Sequence, residues 1–365
     1  MIITEYKARD FRNLQTVELK PDPGINILFG KNGQGKTNIV ESIWMFTGCH
    51  SFRTHKYTEL IRKNQREAKV SLSFLVGGMQ NFAELSIQQK RDFVLNGVPV
   101  DSPRKFLGEF QSVVFSPSSL TIVQDAPSER RKFLDIAVSM VKPAYSVHLL
   151  KYSKILANRN ALLRQIGLGQ AEESYLDAWD EELARLGAKL TLYRLSYVDS
   201  LARISAEIYK EISGGTEQLS VEYKVSSRSE AVNEYEMTEN IFIALQKNRE
   251  SDLHRQFTGI GPHKDDLYIS VDGLPARNYG SQGQQRSCAL ALKLSEAYIV
   301  KDITGEYPVI LLDDVMSELD TSRQELLLEY LKNRQVFLTC CDVSHFSMLQ
   351  AAKTFRVDHG TITEV

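Results

Sequence analysis

Cysteine is scarce in this chain and poorly placed for chemistry. The four residues, at positions 49, 288, 340 and 341, include no CxxC pair. That spacing argues against a zinc site and against a disulfide framework, and suits thiols kept reduced. Long apolar runs are also missing. No window approaches the roughly 18 consecutive apolar residues that a membrane-crossing helix needs. The opening MIITEYKARDF has no basic segment followed by an apolar stretch, so it does not read as a secretory signal, and a cytoplasmic location is expected. Net charge is nearly absent as well: 44 Lys and Arg stand against 46 Asp and Glu, for a formal charge of −2. Overall charge therefore advertises no nucleic-acid partner, and any anionic partner has to be met by a local patch. What is present is ordinary for a globular protein, 42% hydrophobic and 25% charged over 365 residues. That length suits two domains, or one large domain with an insertion, and a core that needs no crosslinks.

The most informative stretch is INILFGKNGQGKTNIVESIWMF, residues 25–46. Ile25, Ile27, Leu28 and Phe29 read as a short buried strand. Ile39, Val40, Ile43, Trp44 and Met45 recur at helical spacing. Between them Gly30, Lys31, Asn32, Gly33, Gln34, Gly35, Lys36 and Thr37 fit GxxxxGK[ST], a phosphate-binding loop in its proper strand–loop–helix setting. The glycines let backbone N–H groups turn inward around an anion, and the helix points its positive end at the same place. Lys36 is expected to reach the β and γ phosphates of ATP, and Thr37 to offer its hydroxyl to Mg²⁺.

A second stretch, YPVILLDDVMSELD at 307–320, places a continuous apolar run from Val309 to Leu312 before two acids. Such a run suits a strand of a parallel sheet buried on both faces. Asp313, at the end of that strand, is the expected Mg²⁺ carboxylate. Asp314 is placed to orient a water near the γ-phosphate. A third stretch, YGSQGQQRSCALALKL at 279–294, is a polar glycine-containing loop running into a helix. Ser281 offers a hydroxyl, Gly283 permits close backbone approach, and the helix from about Gln284 aims its N-terminus at an anion. On these residues alone an ordinary helix cap by Ser281 is the preferred reading.

The three stretches together resemble the ATP-binding-cassette ATPases, and more closely the heads of SMC and Rad50 proteins. DFRNLQTVELKPDPGINILFGKNGQGKTNIVESIWM, SFR at 51–53, FSPSSLTIVQDAPSERRKFLD at 115–135, GIGPHKDDL at 259–267 and SQGQQRS at 281–287 narrow the resemblance to the RecF family of recombination mediators. The resemblance implies an α/β fold, an ABC-type P-loop ATPase head. It also implies that Ser281, Gly283 and Gln284 match a signature loop that contacts the ATP held by a partner copy, in an ATP-dependent homodimer. Weak, DNA-linked ATP hydrolysis, partners RecO and RecR, and help in loading RecA at gapped DNA follow from the same resemblance. Asp314 stands where the superfamily often has Glu. A side chain one methylene shorter holds a water less well, so slow turnover is expected. Cys340 and Cys341 fall where many such ATPases have a switch His; His345 is nearby but out of register, and no catalytic His is assigned.

Residues 110–255 read as a helical lobe inserted between two ATP-binding segments, 1–109 and 256–365. Residues 171–213 show one long amphipathic pattern in which Gly187 is a candidate bend, with no long coiled-coil arm. Candidate contacts to DNA phosphates are Arg53, Lys56, Arg62, Lys63 and Arg66, then Arg130, Arg131 and Lys132, then Lys151, Lys154, Arg159 and Arg164. With no helix-turn-helix or zinc finger visible, recognition of double-stranded and gapped DNA is expected to be sequence-nonspecific. In GPHKDD, His263, Asp265 and Asp266 could be metal ligands, but a structural loop entering a hairpin strand is the preferred reading. The alternative function is the energising subunit of a transporter; a metabolite kinase using the P-loop alone leaves SQGQQRS and SELD unexplained.

Overall fold

The strand Ile25–Phe29 leads directly into the glycine loop and lies inside a six-stranded sheet. In spatial order this sheet runs Thr361–Glu364, Lys353–Asp358, Ile25–Phe29, Val336–Cys340, Val309–Asp313 and Ser112–Phe115. All pairings are parallel except the first. The two strands 309–313 and 336–340 are buried along their whole length, as their unbroken apolar sequences require. This computed structural model describes all residues except 55, 228–230, 232 and 343–351, and all side chains of the rest except that of 104. His345 lies outside the described residues.

The chain divides into two compact units, the first comprising 1–120 and 289–365 and the second 121–288. Both junctions differ from the lobe boundaries drawn on the sequence, for a structural reason. Ser112–Phe115 pairs in parallel with Val309–Asp313, so the segment around 112 is part of the ATPase sheet. Asp266–Val271 pairs with Leu219–Lys224, so the segment after 255 still belongs to the helical unit. The second junction falls inside one helix, Gln282–Thr304.

Besides the parallel sheet, the first unit contains a six-stranded antiparallel sheet that the sequence reading did not anticipate. Its order is Thr16–Leu19, Ile2–Arg9, Ala68–Val76, Met79–Ile87, Arg91–Leu95, Val98–Val100. The P-loop helix Lys36–Trp44 buries Ile39, Val40 and Ile43 completely. Tyr6 of the antiparallel sheet meets Ser42 of that helix through their hydroxyls at 2.7 Å, which fixes the helix from its far side.

The second unit is mainly helical: Pro127–Val141, Pro143–Gly167, Leu176–Ile212, Glu234–Lys247 and Arg249–Arg255, with a three-stranded antiparallel sheet of Leu219–Lys224, Asp266–Val271 and Leu274–Pro275. Leu176–Ile212 is one helix of 37 residues, about 55 Å long. It passes through Gly187 without ending. A Cβ there would stand 3.3 Å from Pro262 Cδ and 3.4 Å from Ile241 Cδ1, so glycine at this position admits a close neighbour instead of making a bend.

Two arginines organise this unit from inside. Arg159 is fully buried; its Nε donates to Asp180 at 2.6 Å and its Nη1 to Asp252 at 2.7 Å and Thr258 at 2.8 Å. Arg194 donates to the Tyr145 and Tyr223 hydroxyls, to the Pro262 carbonyl and to Asp135. The candidate DNA contacts are therefore corrected at two positions. Arg159 is enclosed, and Arg130 is buried against Asp266 with bonds of 2.7 and 2.9 Å, so neither faces solvent. Lys132, Lys151, Lys154 and Arg164 are exposed.

The enclosure of Arg159 predicts that Arg159→Ala, by removing the cation paired with buried Asp252 and one of the two paired with Asp180, destabilises the second unit by about 3–5 kcal/mol. Urea unfolding followed by circular dichroism measures this; a change under about 1 kcal/mol would contradict the ion-pair assignment. His263 supplies a pH test. Its Nδ1 accepts from the Tyr152 hydroxyl at 2.7 Å and its Nε2 donates to the Thr258 carbonyl at 3.0 Å, so the ring is held neutral. Burial pushes its pKa down to about 4. Below the unfolded value of about 6.5 the unfolded ring takes up a proton that the folded ring refuses. Stability is therefore present above that value and is lost as pH falls through about 4. The melting temperature of His263→Gln should fall less between pH 7 and pH 5 than that of the parent protein.

Candidate functional site

Elementary backbone sterics explain the glycines at the end of Ile25–Phe29. Gly30, Gly33 and Gly35 have φ of 150°, 80° and 122°, values that L side chains rarely adopt. A Cβ on Gly30 would stand 2.3 Å from the Val357 carbonyl oxygen, and one on Gly35 2.8 Å from Leu14 Cδ2. Gly33 instead faces open space. The outer glycines thus allow close packing of the loop, and the middle one leaves its concave side unobstructed. Lys36 is buried and donates to the carbonyls of Gly30 at 2.5 Å and Lys31 at 3.0 Å, so its ammonium sits within the curl of the loop. Gln34 is held from outside: its carbonyl accepts from Gly360 N at 3.0 Å and its side-chain oxygen from His359 N at 2.6 Å. Asn32 accepts from the Cys341 thiol at 3.0 Å, and Lys31 is exposed.

The second acidic stretch arrives at the same edge. The register pairs Asp313 with Thr339, and the strand places its carboxylate against the P-loop helix. Asp313 Oδ1 accepts from Thr37 Oγ1 at 2.8 Å and from Thr339 Oγ1 at 3.0 Å. Burial raises the Asp313 pKa, an effect opposed by those two hydroxyls and by the charge of Arg53. Asp314 turns the chain with φ of 56°, its N–H donates to Thr339 Oγ1 at 2.9 Å, and Ser317 donates to its side chain at 3.1 Å. A non-glycine residue with this backbone is an uncommon, strained choice of the kind found at functional sites. Thr37, Asp313 and Thr339 together present hard oxygen donors of the type Mg²⁺ takes.

These parts surround an open cleft of about 460 Å³, lined by Gly33, Gly35, Lys36, Thr37, Asp314 and Thr339. The lining includes residues not assigned to the nucleotide site from the sequence, among them Arg12, Asn13, Asn38, Arg53 and Glu59. Asn13 donates to the Gly33 carbonyl at 2.9 Å and accepts from Asn38 at 2.6 Å, so it supports the open part of the loop. The signal for Arg12 and Asn13 is the tight turn in DFRNL, where Asp10 and Arg12 both have φ of 55°. Arg53, read as a DNA contact on the sequence, lines the cleft and donates to Asn38 at 2.7 Å.

Ser281, Gly283 and Gln284 belong to the second unit. Ser281 Oγ accepts from Gln284 N at 3.2 Å while Gln284 Oε1 accepts from Ser281 N at 2.8 Å, a reciprocal capping box that starts the helix at Gln282, two residues before the expected start. Gln284 also donates to Glu217 at 2.9 Å, and the buried Gln285 donates to the carbonyls of Ala276 and Arg277. Ser281 and Gln282 remain exposed. GPHKDD is occupied by structural bonds: Asp265 accepts from Tyr223 and Ser226 N, and Asp266 from Arg130. Among the described residues no group of His, Cys, Asp and Glu is arranged to hold a metal ion, and no helix is long and apolar enough to cross a membrane.

Residues 2–363 match the family described as RecF/RecN/SMC N terminal domain. The chain is 38% identical over 360 residues to the DNA replication and repair protein RecF of Clostridioides difficile, covering 98% of this chain and 96% of that protein. It is 39% identical over 371 residues to the DNA replication and repair protein RecF of Halothermothrix orenii, covering 100% and 99%. The solved structure of the recombination mediator protein RecF-ATPrS in the RecFOR pathway superposes with a TM-score of 0.93 at 34% identity, covering 100% of this chain and 98% of that one. The Smc head domain of Pyrococcus furiosus, with an extended coiled coil and bound to the C-terminal domain of ScpA, shares the fold at a TM-score of 0.57 and 15% identity, covering 100% and 96%. The transporter-subunit alternative finds no support among these relatives. Matched along its whole length by these proteins, the chain belongs to the RecF family of DNA replication and repair proteins.

Proposed function

We propose that this protein is an ATP-dependent DNA-binding ATPase of recombinational repair that closes as a homodimer on duplex DNA beside single-strand gaps and reopens on slow hydrolysis. The observation that carries this reading is the bond between Thr37 and Asp313, which joins the phosphate loop to the acidic strand end over one cleft. In the bound state the backbone N–H groups of 30–37 cradle the phosphates. Lys36 then exchanges its bonds to the loop's own carbonyls for the β and γ phosphates. Thr37 and Asp313 would hold Mg²⁺, which would supply positive charge against the phosphates. Asp314 is the residue that orients the attacking water, and its bond from Ser317 restrains that carboxylate. The exposed Ser281 and the helix end behind it are suited to the phosphate of a partner copy's ATP. The exposed Lys132, Lys151, Lys154 and Arg164 provide phosphate contacts to DNA without base readout. RecO and RecR are the partners that family membership suggests, with RecA loading as the outcome.

Two measurements test this. Fluorescence anisotropy of a labelled gapped duplex, with Mg²⁺ and either ATP or ADP, should show binding about tenfold tighter with ATP. Lys36→Met and Ser281→Arg should each abolish the gain, the first through the protein's own nucleotide and the second through its partner's. Binding indifferent to nucleotide would remove the clamp reading. Raising salt from 50 to 200 mM should weaken binding by orders of magnitude with little sequence preference, as for several phosphate contacts; a sequence-specific footprint would contradict backbone recognition.

A further inference from the structure

Glu41 is a fully buried carboxylate on the P-loop helix, one turn beyond Thr37 and on the same face. A negative charge behind a phosphate cradle is unexpected, because the helix end is built to attract anions. Its surroundings explain it. Arg12 approaches as a fork, with Nε at 3.0 Å from Oε2 and Nη2 at 2.7 Å from Oε1. Arg53 Nη1 donates to Oε2 at 3.2 Å, and Ser51 Oγ donates to Oε1 at 2.5 Å. Ser51 Oγ in turn accepts from the backbone N–H groups of Arg53 at 2.9 Å and Thr54 at 3.1 Å. Glu41 therefore grips Arg53 twice, by its side chain and through Ser51 by its backbone. The two guanidiniums and one carboxylate leave a surplus of one positive charge, and Arg12 and Arg53 both line the cleft that holds Lys36 and Thr37. Arg12 is largely enclosed, with 16% of its side chain exposed, whereas Arg53 retains 43%. Arg53 keeps Nε and Nη2 without a bond among the described residues, and its charge already acts on Asp313.

We infer that Glu41 is a positioning residue: from inside the P-loop helix it holds Arg12 and Arg53 in place, so that Arg53 presents its free N–H groups to the phosphates in the cleft. The inference rests on reading the cleft as the nucleotide site. It makes a prediction opposite in sign to simple electrostatics. Removing a nearby negative charge should by itself attract ATP more strongly. If Glu41 acts by placement, removing its charge frees Arg53 and weakens ATP binding.

The test is Mg·ATP binding by titration calorimetry on the full-length protein, with Glu41→Gln, Arg53→Ala, the double variant and Lys36→Met. The expected result is a loss of about tenfold for Glu41→Gln. The double variant should be no worse than Arg53→Ala alone, because residues acting as one unit are not additive. Additive losses would mean that Glu41 contributes only through general stability, and tighter or unchanged binding by a folded Glu41→Gln protein would also overturn the inference. Ser51→Ala guards against misfolding of Glu41→Gln. It leaves the ion pairs in place, and its expected effect is a smaller loss in the same direction in a protein that still folds. Unaltered affinity in Ser51→Ala would count against the placement role. Lys36→Met separates the two readings: if it leaves ATP binding intact, the cleft assignment fails, and not the role of Glu41 within it.

Discussion

One carboxylate oxygen, Asp313 Oδ1, accepts hydrogen bonds from Thr37 and Thr339. The first of these partners is 276 positions away in sequence. The bond can form only if Ile25–Phe29, Val336–Cys340 and Val309–Asp313 lie side by side in register, with their carboxyl ends level. It also needs the P-loop helix to start at Lys36 and not a turn later. The glycine loop, the strained turn at Asp314 and the placement of Lys36 all follow from that alignment. Asp313 is costly where it lies, since burial raises its pKa, and two hydroxyls with the nearby Arg53 offset that cost. A cation taken up between Thr37 and Asp313 would serve the same end more fully.

The second unit uses buried charge differently. Arg159 and Arg194 are enclosed among carboxylates, phenols and carbonyls, and they join helices that also bury apolar side chains. An aliphatic core would pack as well, so these pairs make better sense as devices that fix one arrangement of long helices than as sources of stability. The GPHKDD loop belongs to this scaffold, with Asp265 and the Pro262 carbonyl serving as acceptors within it. That explains why a sequence rich in potential ligands holds no metal-like cluster among the described residues.

Much of the site is legible in the sequence, because its chemistry is local. The P-loop is eight consecutive residues whose glycines and lysine are readable one by one. The strand 309–313 announces itself by unbroken apolar sequence, and the acids after it by position. The 37-residue helix was visible as one amphipathic pattern. The remainder was hidden because it depends on residues far apart. Arg12 and Arg53 line the cleft and both pair with Glu41 of the P-loop helix, a meeting of three separate segments that sequence proximity does not reveal. Arg130 and Arg159 sit among surface-like sequence and were read as surface, since a buried arginine differs from an exposed one only in its distant partners. The antiparallel sheet left a signal that went unread: two of its hairpins turn on Gly77-Gly78 and Asn96-Gly97, residue pairs suited to tight two-residue turns, whereas the pairing of Ile2–Arg9 with Ala68–Val76 joins segments far apart in sequence.

The two neighbours of the P-loop strand, Val336–Cys340 and Lys353–Asp358, both come from the last thirty residues of the chain. Gly30 packs on the Val357 carbonyl, and Gln34 is held by the backbone of His359 and Gly360. During synthesis, which adds roughly 5–20 residues per second, the nucleotide loop emerges early and then waits for its flanking walls. A nascent or truncated chain has the complete phosphate-binding motif but no frame to hold it. The shape of the nucleotide loop is thereby tied to strands made long after the loop itself.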